Sequence, residues 1–234
     1  MKICTLCPRM CAVDRKSGER GICGQTTEIK VARAALHFWE EPCISGEMGS
    51  GAVFFSGCAL HCVFCQNENI ANGTAGKVIS TERLGKIFLE LQEKGANNIN
   101  LVTPGQFVPQ IIKAVELARN QNLKIPIVYN TSSYENVDTI RSLEGIVDIY
   151  LPDFKYFDTA LSAKYSHAPD YPAVAKAVIA EMVRQTGAAV FENGEDSLMK
   201  RGTIVRHLIL PGCTKDSKAV LKYLHETYEN QIYI

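Results

Sequence analysis

From Ala52 onward the chain repeats one unit, a short apolar run of strand length followed by a longer stretch with apolar residues at helical spacing. Strands are expected at 52–55, 99–103, 125–130, 147–153 and 203–210. Helices are expected at 80–94, 108–121, 135–143, 171–185 and 216–228. In the first helix Leu84, Ile87, Phe88 and Leu91 fall at i, i+3, i+4 and i+7, one apolar face, and Gly95 closes it. Pro109 is tolerated in the first turn of the second helix. Strand and helix alternating every roughly 25 residues is the pattern of right-handed βαβ units, so the chain belongs to the α/β class as a partial barrel or an open parallel sheet. The run Gln231-Ile232-Tyr233-Ile234 reads as the opening of a sixth strand, so the chain reads as cut within its last strand-helix unit. The pattern lapses between Gly187 and Gly202, where Asn193-Gly194 signals a turn or hairpin.

The chemistry is expected at the end of the first of these strands. Ala52-Val53-Phe54-Phe55 runs into Ser56-Gly57-Cys58-Ala59-Leu60-His61-Cys62-Val63-Phe64-Cys65-Gln66-Asn67, with three cysteines at C-x3-C-x2-C. Parallel α/β folds place their sites at the carboxyl ends of strands. A structural zinc closes its tetrahedron with four protein ligands. A [4Fe-4S] cluster held by three cysteines keeps one iron free for another ligand.

A second group precedes the barrel. Cys4, Cys7, Cys11 and Cys23 surround a charged, Gly-containing turn with almost no apolar side chains, so a metal would replace a core there. A structural zinc and an auxiliary iron-sulfur cluster both suit four thiolates. Two units follow from this division, a Cys-rich segment at 1–45 and a barrel core at 46–234. At their junction residues 29–40 alternate as a strand, Pro42, Gly46, Gly49 and Gly51 break it, and His37 and Trp39 read as packing residues. Cys43 reads as a small buried side chain.

Each expected strand ends in residues that strand propensity would not select: Thr103-Pro104-Gly105-Gln106, Asn130-Thr131-Ser132-Ser133, Pro152-Asp153-Phe154-Lys155, and Pro211-Gly212-Cys213 after Arg206 and His207. In a parallel barrel these ends share one rim with the Cys58 loop. Gly105 would let backbone groups approach a ligand, and Asn130, Asp153, Lys155 and Arg206 would pair with a zwitterionic, hydroxylated molecule. The plainer reading pairs Asp153 with Lys155, makes Arg206 a solvated residue and His207 a packing histidine. Cys213 reads as a free thiol near the rim, with a fourth cluster ligand as the alternative.

Composition excludes several classes. Twenty-five basic residues balance twenty-five acidic ones, so net charge calls for neither nucleic acid nor an anionic membrane. No apolar run approaches the ~20 residues that span a bilayer, and the first residues lack the apolar core of a signal peptide. A cytoplasmic protein is expected, in which seven grouped cysteines out of nine are metal ligands rather than disulfides.

The motifs Gly57-Cys58-x3-Cys62-Val63-Phe64-Cys65-Gln66-Asn67, Leu151-Pro152-Asp153-Phe154-Lys155 and Arg206-His207-Leu208-Ile209-Leu210-Pro211-Gly212 resemble the radical S-adenosylmethionine superfamily, and within it proteins similar to pyruvate formate-lyase activating enzyme. The stretch Cys4-x2-Cys7-Pro8-Arg9-x-Cys11 looks like a separate branch of that group. The resemblance implies a partial (β/α)6 TIM-like barrel. It also implies a [4Fe-4S] cluster on Cys58, Cys62 and Cys65, whose open iron is chelated by the amino and carboxylate groups of S-adenosylmethionine. Reductive cleavage would give a 5′-deoxyadenosyl radical that takes hydrogen from a substrate, as in the activation of a glycyl radical enzyme or the modification of a peptide or small molecule. Flavodoxin or ferredoxin would supply the electron. By position Asn67, Gly105, Asn130, Asp153, Lys155 and Arg206 match cofactor-binding positions, although the family's Gly-Gly-Glu is replaced here by Pro104-Gly105-Gln106. A non-catalytic iron-sulfur or electron-transfer protein is the alternative.

Overall fold

The structure, a computed structural model, describes residues 3–193 and 197–234. In chain order it contains β1 (Ile29–His37), α1 (Pro42–Ser45), β2 (Ser50–Phe55), α2 (Glu68–Ala71), β3 (Lys77–Ile79), α3 (Thr81–Glu93), β4 (Ile99–Val102) and α4 (Val108–Arg119). Then follow β5 (Ile127–Thr131), α5 (Val137–Arg141), β6 (Ile149–Pro152), α6 (Thr159–Ser166), α7 (Tyr171–Thr186), β7 (Val190–Phe191), β8 (Met199–Thr203) and α8 (Thr214–Tyr228).

One sheet carries the strands in the order β3-β1-β2-β4-β5-β6-β8-β7. Its centre, β2-β4-β5-β6-β8, is parallel, with Val53 opposite Leu101, Asn130 opposite Leu151 and Ile149 opposite Gly202. Pairing continues past β8 as parallel bridges of Arg206 with Asp153 and of Ile204 with Tyr233, so residues 232–234 approach the sheet as a further strand would. This is the α/β architecture that the alternation implied, and it agrees with the partial TIM-like barrel that the resemblance implied. β1 adds antiparallel to β2 and to β3, so residues 29–37 are hydrogen bonded into the main sheet.

The period of 2 along each strand separates two apolar layers. Val53, Ile99, Leu101, Ile127, Tyr129 and Tyr150 face outward, into the core built with α3, α4 and α7. Val128, Ile149, Leu151 and Ile204 turn inward, where Ile44 of α1 packs on them. α3 shows why the outer layer forms where it does. The Ser80 hydroxyl caps it by accepting from Arg83 N–H at 3.1 Å, and Leu84, Ile87, Phe88 and Leu91 are all buried. Burial of one such side chain contributes about 1.5–3 kcal/mol, enough to outweigh the helix's exposed charged face. A third cluster, rich in aromatic residues, sits under the rim: Leu60, Tyr134, Phe154, Tyr156 and Tyr171, with Val220 and Leu224 of α8.

Several expectations are corrected. The strand expected at 203–210 lies earlier, as β8, because Met199–Thr203 pairs with both β6 and β7; beyond Arg206 the chain leaves the sheet and Leu208 and Ile209 are exposed. The helix expected at 135–143 shortens to α5, freeing Glu135 from it. α6 was not anticipated; Asp158 starts it by accepting from Ala160 N–H and Leu161 N–H. Trp39, expected to pack, is 89% exposed. β7 and β8 flank the Asn193-Gly194 turn signal, whose Gly194 lies outside the described residues.

Candidate active site at the thiolate rim

The Cys58 loop leaves the carboxyl end of β2 through Gly57, which has φ +88°. A Cβ there would collide with the Cys23 carbonyl, so glycine serves both the left-handed turn and the close passage of the N-terminal segment. Leu60 anchors the loop in the aromatic cluster, and Val63 N–H donates to the Tyr165 carbonyl at 2.9 Å. Leu60 N–H reaches the Cys58 sulfur at 3.4 Å, and the Ser166 hydroxyl donates to the Cys62 sulfur at 3.0 Å. Behind it the Tyr156 hydroxyl lies 2.7 Å from Ser166 Oγ. Burial pushes the thiols of Cys58 and Cys62 up, and Lys155 opposes that shift at both. A metal would bind these groups as thiolates and so displace their protons.

Among the described residues, no three His, Cys, Asp or Glu side chains converge on a point that a single ion would occupy. A four-iron cluster takes one thiolate at each iron, so the three sulfurs that serve it stand apart. Three cysteines in one loop, two of them with positive charge or hydroxyl donors at their sulfurs, fit such a group.

The expected rim residues come together from three successive strand ends. Lys155 Nζ sits 2.6 Å from Asp153, Arg206 Nε donates to the other Asp153 oxygen at 3.1 Å, and Arg206 Nη2 donates to Asn130 Oδ1 at 2.7 Å. Burial opposes charge on Asp153, yet Lys155 and Arg206 hold its carboxyl below the usual range. Burial likewise works against charge on Lys155, and Asp153 carries it above its ordinary value. The pairing of Asp153 with Lys155 that sequence allowed is therefore real, and it places a cation beside the thiols of Cys58 and Cys62. Arg206 is no free surface residue, since Glu40 also approaches it at 3.6 Å. His207 packs: its Nδ1 donates to the Phe154 carbonyl at 2.7 Å and its Nε2 lies 2.9 Å from the Ser217 hydroxyl. Cys213 occupies the N-cap position of α8 with its thiol free and making no capping bond. Asn67 begins α2 with an exposed side chain outside this network.

Gly105 and Gln106 form the next part of the rim. The Gln106 amide lies 2.9 Å from the Ser56 carbonyl, 3.0 Å from that of Gly57 and 2.9 Å from that of Thr103, tying β4 to the base of the cysteine loop. Glu135 stands against Gly105. One of its oxygens accepts from the Thr131 hydroxyl at 2.7 Å and the Tyr129 hydroxyl at 3.1 Å, while the other is buried with no hydrogen-bond partner. Burial pushes its carboxyl up to about 7 against those two hydrogen bonds. Left-handed backbone at His61, Thr103 and Ser133, none of them glycine, recurs at this rim; for a β-branched residue such as Thr103 that is a rare and costly conformation.

The N-terminal segment crosses the same rim. Arg9 donates from Nε to the Ala59 carbonyl at 2.8 Å, from Nη1 to His167 at 2.5 Å and from Nη2 to Ser166 at 3.1 Å, with its guanidinium 5.0 Å from the Tyr134 ring centre. Asn136 and Thr139 bond the carbonyls of Thr5 and Leu6. Cys4, Cys7 and Cys23 consequently line one cavity together with Cys58, Gly105 and Glu135. Burial pushes the Cys7 thiol up to about 12, with Glu135 adding to the shift, and burial raises Cys23 as well. Cys11 stands nearby, contributing to the charge repulsion at both.

Sequence reading missed Glu135, Ser166 and the reach of Arg9. Glu135 looked like an acid in the first turn of a helix, and Ser166 lies in a helix that was not expected. Only the Pro-Arg of the Cys4 motif marked Arg9. Among the described residues no helix is long and apolar enough to cross a membrane.

The model of the Radical SAM superfamily matches residues 52–224. The chain is also similar to an uncharacterized protein, MJ0674, of Methanocaldococcus jannaschii, at 26% identity over 242 aligned residues. That alignment takes in 99% of this chain and 64% of the relative, so the chain spans less than two thirds of the relative's length.

Proposed function

Since the chain belongs to the radical SAM superfamily, we propose that Cys58, Cys62 and Cys65 hold a [4Fe-4S] cluster and that the adjoining rim binds S-adenosylmethionine for radical chemistry on a further substrate. Held by Cys58, Cys62 and Cys65, such a cluster would pass on one electron from an external reductant, for reductive cleavage of S-adenosylmethionine to methionine and a 5′-deoxyadenosyl radical that would take hydrogen from the substrate. The observation that carries the reading is the C-x3-C-x2-C loop at the carboxyl edge of the parallel sheet, sharing a cavity wall with Gly105.

The chain's own residues bind, orient and exclude water. Lys155 favours the thiolate form of Cys58 and Cys62, and Ser166 steadies Cys62. The preformed network of Asn130, Asp153, Lys155 and Arg206 offers both charges and an amide to a zwitterionic, hydroxylated ligand without needing to reorganise. The N-terminal segment, held by Arg9, covers the rim. Of zinc and an auxiliary iron-sulfur cluster, the cluster suits its cysteines better, since among the described residues no three of them converge on a single point.

Within this class we favour a protein substrate such as a glycyl radical enzyme over a small metabolite, because Leu208 and Ile209, just beyond Arg206, are 53% and 64% exposed and suit a macromolecular partner. Flavodoxin or ferredoxin would be the reductant. Anaerobically reconstituted chain, reduced and given S-adenosylmethionine, is expected to form 5′-deoxyadenosine. A Cys58→Ala, Cys62→Ala, Cys65→Ala variant is expected to lose one four-iron cluster and this activity while the metal on Cys4, Cys7, Cys11 and Cys23 stays. Retention of all iron by that variant would show the triad assignment to be wrong. Deuterium entering 5′-deoxyadenosine from a labelled metabolite but never from a labelled candidate protein would remove the activase reading.

A further inference from the structure

We infer that Glu135 is the fourth ligand of the N-terminal metal centre, an oxygen donor beside the thiolates of Cys4, Cys7 and Cys23. This rests on the auxiliary cluster favoured above for that segment and narrows its ligand set from four cysteines to three and a carboxylate. Cys4, Cys7 and Cys23 line one cavity, and Glu135 forms part of its wall. Cys11 does not line it: its sulfur accepts from Ile22 N–H at 3.4 Å and packs on Gly21, where a Cβ would lie 2.8 Å from it. Glu135 is 5% exposed, and its Oε2 is buried with no hydrogen-bond partner in the protein. An unpartnered buried carboxylate oxygen is costly, and a metal in the cavity that it lines removes that cost. Gly105 leaves the space in which this wall stands, since a Cβ there would come within 2.6 Å and 2.7 Å of the two carboxylate oxygens.

The charges around the cavity fit an anionic cluster. Arg15 also lines it and is 5% exposed; its guanidinium donates to the carbonyls of Gln25 and Thr26 and approaches the Cys4 sulfur at 3.9 Å, so its bonds go to carbonyls and a sulfur rather than to a carboxylate. A buried cation needs an anion, and thiolates ionised on iron supply one. Arg15 and the Gln25 N–H both favour the thiolate of Cys23, and the Arg9 N–H does the same for Cys7. Glu135 repels a thiolate at Cys7, and iron between two such anions turns the repulsion into a shared attraction. A four-iron cluster takes one donor at each iron, which suits donors that do not converge on a point. Carboxylate is a ligand of iron but a harder one than thiolate, so the iron on Glu135 is the most easily lost of the set.

The test uses the full chain carrying Cys58→Ala, Cys62→Ala and Cys65→Ala, reconstituted anaerobically with iron and sulfide, so that the iron counted belongs to the N-terminal centre. Iron and sulfide are measured and EPR spectra recorded for Glu135→Ala, Glu135→Cys and Cys11→Ala made in that background. Glu135→Ala is expected to lose about one iron in four and to show the signal of an oxidised three-iron cluster. Glu135→Cys, which offers a thiolate at the same place, is expected to restore the missing iron, and Cys11→Ala to keep the whole cluster. If Glu135→Ala does not fold, Cys11→Ala and Glu135→Cys decide the matter. A full iron count and an unchanged spectrum in Glu135→Ala overturn the inference and leave the auxiliary cluster standing. Loss of iron in Cys11→Ala overturns it too, since Cys11 would then be the fourth ligand. A background chain that takes up no iron, or holds zinc alone, overturns the auxiliary cluster and this assignment together, while the iron on the triad of the wild-type chain tests the radical SAM reading separately.

Discussion

Gly105→Ala offers a thermodynamic view of the same wall. The new Cβ would meet Glu135 Oε2 at 2.6 Å, Oε1 at 2.7 Å and Cδ at 2.9 Å, all closer than carbon tolerates, so the carboxylate must retreat by on the order of 1 Å. Such a retreat stretches the bonds from the hydroxyls of Thr131 and Tyr129, now 2.7 Å and 3.1 Å long. Hydrogen bonds to a charged acceptor contribute about 1.5–3 kcal/mol each. Against this, alanine restricts the unfolded chain and returns about 0.4–1 kcal/mol. The expected net loss is about 1–4 kcal/mol at a pH above 7. The assay is urea unfolding of the metal-free chain, with the midpoints of wild type, Gly105→Ala, Glu135→Ala and the double variant compared at constant slope. If the clash is the cause, Gly105→Ala costs nothing in the Glu135→Ala background, and the two changes couple by about 1 kcal/mol or more. An equal cost in both backgrounds would refute the reasoning and point to the backbone at residue 105 instead.

Three further outcomes are expected. With its folded carboxyl raised to about 7 from an ordinary 4.5, Glu135 makes the chain's stability fall as pH rises between those values. The loss is of order 3 kcal/mol, and a pH series of unfolding midpoints should show Glu135→Gln lacking that slope. Ser166→Ala removes the hydroxyl donor to the Cys62 sulfur, and losing about 1 kcal/mol of stabilisation of the reduced cluster lowers its midpoint potential by roughly 40 mV in an EPR-monitored titration; an unmoved potential would mean that this contact does not reach the loaded cluster. Arg9→Ala frees the N-terminal segment from Ala59, Ser166 and His167, and limited trypsin digestion should then cut between Arg15 and Arg20 much faster while the iron of the triad is kept.

What could be read before the fold was known rested on local pattern. The cysteine triad was legible because its three cysteines lie within eight residues after an apolar strand, a local spacing that needs no knowledge of the rest of the chain. Asn130, Asp153, Lys155 and Arg206 were legible by a different route: period 2 in the strands and period 3.6 in the helices set the parallel order, and a parallel order puts successive strand ends on one rim. The same reasoning misplaced β8, because 203–210 is apolar enough for a strand while the strand opens at Met199, where it pairs with β7, and its parallel pairing with β6 begins at Gly202. It also missed α6, whose short sequence carries no apolar stripe.

By itself, then, the sequence determined the class of fold, the thiolate triad and the set of polar residues at the strand ends, all of which follow from spacing along the chain. Tertiary structure alone decided how distant segments meet at the rim. Ser166 bonds a cysteine 104 residues away, Arg9 spans 158 residues to His167, and Glu135 fits only because residue 105 has no side chain. Contacts like these are closed by loops whose paths depend on the packing of the whole barrel, and no local propensity encodes them.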